Sequence, residues 1–367
     1  MKRIFNYFLI VSLSALLFAC SEDNNQPSQK PIYQPDERVF ILNEGSFGKT
    51  RGSLQVITNT RAYLTGVDNG VLGTSAQDLA FLGNQFFVVS QDPNGMTGRL
   101  VSFDTKTCTP RKDYSKVIES LQKPTHLSAI SMNNIYIRDA KGIHHVDLLQ
   151  GKVTFVEGTE RANQYAMQKV GTQIFAGVGN KLVVLGNNTT KVEKSLELTG
   201  KIQGIVYDGK QNLYVATAAK QKTTIYQVSP SALSIVSENS IEGEAGSVTG
   251  NSYWGQAPVI AAKGDTIYFA GGSSKIYRHL FSKKETKEMV DTTAKGFYPV
   301  GTITYNSVGV HPTTGHVYIS RLKGFGPDSY TNAILELDLS QDEPKLVKLY
   351  ENKLEFPAGF FFPKNAR

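Results

Sequence analysis

The chain has 367 residues, with 39 Lys and Arg against 32 Asp and Glu for a formal charge of +7. The cations are scattered among the acids with no basic run, which excludes an electrostatic stripe for nucleic acid; the basic balance fits either an anionic ligand or a solvated Lys-rich face. With 2 cysteines, one of them at a processing position, an internal disulfide framework is excluded and stability must come from the core.

Lys2 and Arg3 precede an apolar run from Ile4 to Phe18, closed by Leu17-Phe18-Ala19-Cys20. Residues 1–19 therefore read as a lipoprotein signal peptide: the basic residues stay cytoplasmic and the apolar stretch is short for a membrane span. Cys20 is the expected lipidation site. Residues 20–36 are almost wholly polar and read as a flexible tether, leaving residues 37–367 as the folded body.

In the body, short segments of alternating apolar residues recur between Gly, Asn and Lys turns, which predicts strands throughout and almost no helix. The clearest pairs are Gln85–Ser90 with Arg99–Asp104, Asn134–Arg138 with Ile143–Asp147, and Gln173–Ala176 with Lys181–Leu185. They continue as Asn212–Ala216 with Thr224–Val228, Thr266–Ala270 with Lys275–Arg278, and His316–Ser320 with Ala333–Asp338. Each pair belongs to a four-stranded unit, and units begin near 76, 125, 163, 202, 257 and 302. A seventh unit combines Arg38–Leu42, Ser53–Ile57 and a strand between Ala62 and Val67 with the last strand of the chain, Phe356–Phe362. The predicted fold is all-β: a seven-bladed β-propeller, its ring closed by the C-terminal strand joining the N-terminal strands in one blade. Such closure removes exposed sheet edges; a β-sandwich would explain neither the repeat length nor the orphan last strand.

Phe40-Ile-Leu-Asn-Glu-Gly45, Gly52-Ser-Leu54, Ala76-Gln-Asp-Leu79, Gly83-Asn-Gln-Phe-Phe-Val-Val89, Val308–Ile319 and Phe356-Pro-Ala-Gly-Phe-Phe-Phe362 span the body. In these motifs the chain resembles the Bacteroidetes surface lipoproteins with a YncE-like seven-bladed propeller, the group that includes the cobalamin-binding surface lipoprotein. It departs from the cobalamin binders at Ser320–Tyr330, where they commonly carry an acidic turn. The acidic pair Glu22 and Asp23 behind Cys20 also resembles the surface-export signal of such lipoproteins. The resemblance implies a non-enzymatic protein without a resident cofactor, lipid-anchored in the outer membrane and exposed at the cell surface. It implies capture of a nutrient, a corrinoid first and a haem-like compound or glycan next, for a TonB-dependent transporter.

In a propeller the loops from second to third strand and from fourth strand to the next blade share one face, where ligands usually meet the ring. Those loops hold flat aromatics beside amides and a few acids, a combination suited to a large planar ligand bearing amides. The candidate ligand contacts are Asn43, Glu44, Phe47, Gln77, Asp78, Gln91, Gln164, Tyr165, Tyr253, Trp254, Gln256, Tyr298 and Tyr330. Trp254, the only tryptophan, reads equally as a plug between blades. No catalytic set is expected: the 6 histidines lack metal-ligand spacing, and no nucleophile elbow or phosphate loop is present. Two other functions stay open, a propeller hydrolase or lactonase with a divalent metal in the central channel on Glu44 or Asp78, and a protein-binding adhesion or scaffold propeller.

Overall fold

The computed structural model describes residues 37–46, 49–92, 97–165, 167–219, 222–247, 260–270, 274–294 and 303–363. The expected signal peptide and tether with Cys20, and Phe47, Tyr253, Trp254, Gln256 and Tyr298, lie outside the described residues.

The described strands form seven four-stranded antiparallel sheets. The chain opens with β1 (Val39–Asn43), β2 (Ser53–Ile57) and β3 (Tyr63–Leu64), outer strands of the closing blade. The first complete blade is β4 (Ser75–Leu82), β5 (Gln85–Gln91), β6 (Gly98–Asp104) and β7 (Pro110–Asp113). The second is β8 (His126–Ser131), β9 (Asn134–Arg138), β10 (Ile143–Asp147) and β11 (Lys152–Phe155), and the third β12 (Gln168–Val170), β13 (Gln173–Val178), β14 (Lys181–Leu185) and β15 (Lys194–Glu197). The fourth holds β16 (Lys201–Tyr207), β17 (Leu213–Ala219), β18 (Lys222–Ser229) and β19 (Ser234–Glu242), and the fifth β20 (Ile260–Lys263), β21 (Thr266–Phe269), β22 (Lys275–Leu280) and β23 (Glu285–Asp291). The sixth is β24 (Ile303–Val310), β25 (Val317–Leu322), β26 (Asn332–Asp338) and β27 (Lys345–Asn352). The last strand, β28 (Pro357–Phe361), pairs with β1 in the register Phe40↔Phe361, Ile41↔Phe360 and Leu42↔Gly359, so the two ends of the chain share the seventh blade.

Among the described residues the core divides into seven apolar clusters, one at each meeting of neighbouring blades. Phe40 and Leu42 of β1 pack toward β4 and β5, while Val39 and Ile41 of the same strand pack toward the sixth blade. In β5, Phe86 and Val88 face the seventh blade and Phe87 and Val89 the second. Because both faces of a blade are covered, its second strand reads as a continuous apolar run rather than the clean alternation of a one-sided sheet. A fully buried large side chain contributes about 1.5–3 kcal/mol, so the ring is held by repeated interfaces rather than by one centre.

One boundary differs from the sequence expectation. The third blade's inner strand begins at Gln168, not near 163, and is three residues long. The reason is Asn163, whose amide donates to the carbonyls of Gly179 and Ile202 and accepts from the Gly179 N–H, so this segment ties two blades together instead of joining a ladder.

Candidate functional site

Three register shifts near the starts of inner strands shape one mouth of the channel. In β4 the shift between Ala76 and Asp78 leaves Gln77 as an extra residue, and in β24 the shift between Thr304 and Val308 takes Tyr305 out of the ladder. The third lies between Leu42 and Asn43, opposite Gly359 and Pro357. A bulge re-aims side chains that regular pleating would send between blades. The β1–β2 loop passes close by: a Cβ at Gly52 would stand 2.4 Å from the Ala76 Cβ, so glycine is what lets the loop after Glu44 lie against β4.

The re-aimed side chains meet at Glu44. Tyr305 donates to Glu44 Oε2 at 2.6 Å, while Ser75 Oγ and Gln77 Nε2 approach Oε1 at 3.1 and 3.4 Å. Residue 44 as a whole is half-buried, but its carboxyl is enclosed by these donors. Burial raises the carboxyl pKa above its ordinary value, and the hydrogen bonds from Tyr305, Ser75 and Gln77 oppose that rise. Burial, then the neighbouring carboxylate, push the Tyr305 phenol well above its usual range. Gln77 is 6% exposed and its Oε1 has no hydrogen-bond partner, a buried acceptor beside the acid.

An aromatic row continues from this group. The Phe356 ring lies 5.1 Å from Tyr305 and 5.9 Å from Phe325, centroid to centroid. Phe356 has φ 55, in the left-handed region that a bulky residue rarely occupies, and it stands before Pro357. Such strain persists only where the surroundings hold it, as the two flanking rings do here. Phe325 and Tyr330 in the β25–β26 loop are 45% and 47% exposed, so the row opens to solvent. Beneath it, Glu355 accepts from Ser329 Oγ at 3.0 Å and from Thr50 Oγ1. The arrangement offers flat apolar faces beside a buried amide acceptor and a shielded carboxyl, a set that can bind and orient a ligand.

Several expected contacts have other work. Asn43 belongs to a closed ring of three buried amides: it donates to Gln55 Oε1 at 3.0 Å, Gln55 to Asn352 Oδ1 at 3.0 Å, and Asn352 back to Asn43 Oδ1 at 2.8 Å. Asn43 is 1% exposed, and these bonds engage both ends of its amide inside the blade. Asp78 is also turned inward: its oxygens accept from the N–H groups of Leu79 and Leu127 at 2.9 and 3.1 Å, and His126 Nδ1 stands 3.5 Å away, which joins the first two blades. Gln91 donates to the Pro124 carbonyl at 3.1 Å, again across two blades. Gln164 is exposed and Tyr165 half-buried on the loop before β12, away from the group of side chains around Glu44 among the described residues. Glu44, Gln77 and Tyr330 are thus the expected contacts at this mouth.

Tyr305, Phe356, Phe325, Ser75 and Glu355 complete it and were not among them. The dipeptide Phe356-Pro357 was the one legible signal, since a bulky residue before proline marks a constrained turn. Bulges leave no comparable trace in an apolar–polar pattern. Among the described residues no group of three or more His, Cys, Asp or Glu is placed to hold a metal, and Glu44 and Asp78 are each engaged separately.

A cavity of about 320 Å³ occupies the channel at the far ends of the inner strands, lined by Leu79, Phe81, Val308, Val310 and Phe361 together with Lys169. None of the candidate loop residues lines it.

The family model described as a domain of unknown function, DUF5074, matches residues 37–363, which is nearly the whole body. The chain belongs to the DUF5074 family. No curated protein matches it. Among solved structures, this DUF5074 propeller is similar to a quinonprotein alcohol dehydrogenase-like protein from Bacteroides thetaiotaomicron, at 10% identity and TM-score 0.61 over 90% of this chain and 92% of that one. A protein from Lactobacillus plantarum is similar at 10% identity and TM-score 0.61, over 89% of this chain and 99% of that one. Hydrazine synthase from Kuenenia stuttgartiensis aligns at 10% identity and TM-score 0.53, over 79% and 90%. At such identities the likeness shows the propeller fold and nothing of its chemistry.

Proposed function

We propose that this DUF5074 propeller is a non-enzymatic capture protein, anchored through Cys20 to the outer membrane, that takes a nutrient at the cell surface and passes it to a TonB-dependent transporter. One observation carries the binding reading: Tyr305, Phe356 and Phe325 form an aromatic row that opens to solvent beside Glu44 and the unpartnered Oε1 of buried Gln77. Aromatic faces supply contact area at small entropic cost, and a lone buried acceptor favours a ligand that brings an N–H or O–H to it. A corrinoid, a broad ring carrying peripheral amides, meets both demands and is also the ligand implied by the resemblance of the motifs.

Calorimetric titration of the soluble body, begun after Cys20, with cyanocobalamin tests this. One-to-one binding that weakens at least tenfold in the Phe325→Ala, Tyr330→Ala double variant is the expected result. Absence of heat with the unaltered body would remove the corrinoid, and unaltered affinity in the double variant would remove this mouth as the site.

A further inference from the structure

On the face opposite that mouth, the turns that end β20 and β22 meet the equivalent turns of the sixth blade around a second cleft of about 570 Å³. Its charged lining is Lys263, Arg278, Lys283 and Asp342, three cations to one carboxylate. The carboxylate is also shared outside the cleft: Asp342 Oδ1 takes Arg278 Nη2 at 2.9 Å and Lys287 Nζ at 3.1 Å. Excess positive charge therefore remains in the cleft.

Arg278 is fixed there. It is 7% exposed, and its Nη1 donates to the carbonyls of Leu339 and Ser340 at 3.1 Å each and of Gln341 at 3.4 Å. These bonds fix the guanidinium, and its charge is met only in part by Asp342, which Lys287 shares. Its Nε–H, however, is buried with no hydrogen-bond partner. A buried donor left unmade costs free energy that an acceptor would recover, and a planar guanidinium suits a carboxylate or phosphate. Lys263 Nζ, bonded to the Thr313 carbonyl at 3.0 Å, and the exposed Lys283 add charge at the rim. The hydroxyls of Thr266, Thr314 and Ser340 and the Gln341 amide supply donors and acceptors to a hydroxyl-rich neighbour.

We infer that this cleft between the fifth and sixth blades binds an acidic sugar, its oxyanion directed to Arg278 and its hydroxyls to the threonine and serine side chains. The site is independent of the Glu44 mouth and does not rest on the corrinoid reading.

The test is titration of the soluble body with digalacturonate, a carboxylate source, and with glucose 6-phosphate, a phosphate source, with neutral cellobiose as control. Each is repeated on the Lys263→Glu, Lys283→Glu double variant, whose exposed or half-buried positions leave the Arg278 bonds in place. Binding of at least one acidic sugar, weakening with added salt and falling at least tenfold in the variant while its melting temperature holds, is the expected result, and the sugar that binds names the oxyanion. Equal binding of cellobiose, no binding of either acidic sugar, or undiminished binding by a folded variant would overturn it. A variant that fails to melt cooperatively is replaced by Lys283→Glu alone, read by the same outcomes.

Discussion

Tyr305 and Glu44 lie 261 positions apart in the chain, yet the phenol donates to the carboxyl at 2.6 Å. The bond joins the inner strand of the sixth blade to the β1–β2 loop of the seventh, across the place where the ring closes. It ties the candidate mouth to closure itself, since β28 follows Phe356 and pairs with β1, which Glu44 follows, and the Glu44 N–H donates to the Phe356 carbonyl at 2.9 Å.

Glu44 should make stability depend on pH. Its folded-state pKa is raised by burial above 4.5, so between the two values the folded state holds more protons than the unfolded one. Its contribution is full below about 4.5 and is lost as pH rises through the folded-state value. Glu44→Gln removes this titration. The melting temperature of the variant relative to the parent should therefore shift in the variant's favour from pH 4 to pH 8, and a constant difference would refute the assignment.

His279 acts with the opposite sign. It is 1% exposed, Asn239 Nδ2 lies 3.1 Å from its Nε2, and its Nδ1 is 2.9 Å from Thr286 Oγ1, a set that fits the neutral ring. Burial lowers its pKa from 6.5 to about 4. Stability from this group is present above 6.5 and is lost as pH falls toward 4, on the order of 3 kcal/mol in all. Urea titrations between pH 7 and pH 4 should give a flatter profile for His279→Gln than for the parent; parallel profiles would count against it.

Phe86 is fully buried, with ring centroids 5.1 Å from both Phe40 and Phe103. Phe86→Ala should cost about 3–5 kcal/mol by emptying the contact between the first and seventh blades. Equilibrium denaturation measures it, and a loss below about 1 kcal/mol would mean the site collapses around the gap.

Ending the chain at Glu355 removes β28 and uncovers the inner edge of β1. An open edge recruits other strands, so the truncated body should elute as aggregates and lose its cooperative melt. A monomer with unchanged melting would show that the ring does not depend on this closure.

Phe356→Gly separates binding from strain. Glycine adopts φ 55 freely, so the backbone can keep its course while the ring between Tyr305 and Phe325 disappears. Cyanocobalamin affinity should fall about tenfold or more with a small change in melting temperature. Retained affinity would place the ligand elsewhere.

The blades were legible because burial on both faces writes apolar runs such as Phe86-Phe-Val-Val89 and turns interrupt them at regular intervals. The ring closure was legible for a related reason: Phe356–Phe362 has the content of an inner strand and no partner after it in the chain. The candidate site was less legible. Asn43 and Asp78 have the residue types of ligand contacts, but an amide ring and a pair of backbone N–H groups consume them. Whether a polar side chain is spent inside the fold depends on partners far away in sequence, such as Asn352 for Asn43.

The sequence by itself determined the class of fold, the number of repeats and the way the ends meet, because side-chain burial and turn chemistry are local properties that recur with each blade. Only the tertiary structure decided which polar residues stay available. Bulges at Gln77 and Tyr305 turn side chains out of the ladder, and closure of the ring sets Tyr305 and Phe356 beside Glu44. Those are long-range relations of register and packing, fixed by how seven sheets fit around one axis rather than by any pattern within a strand.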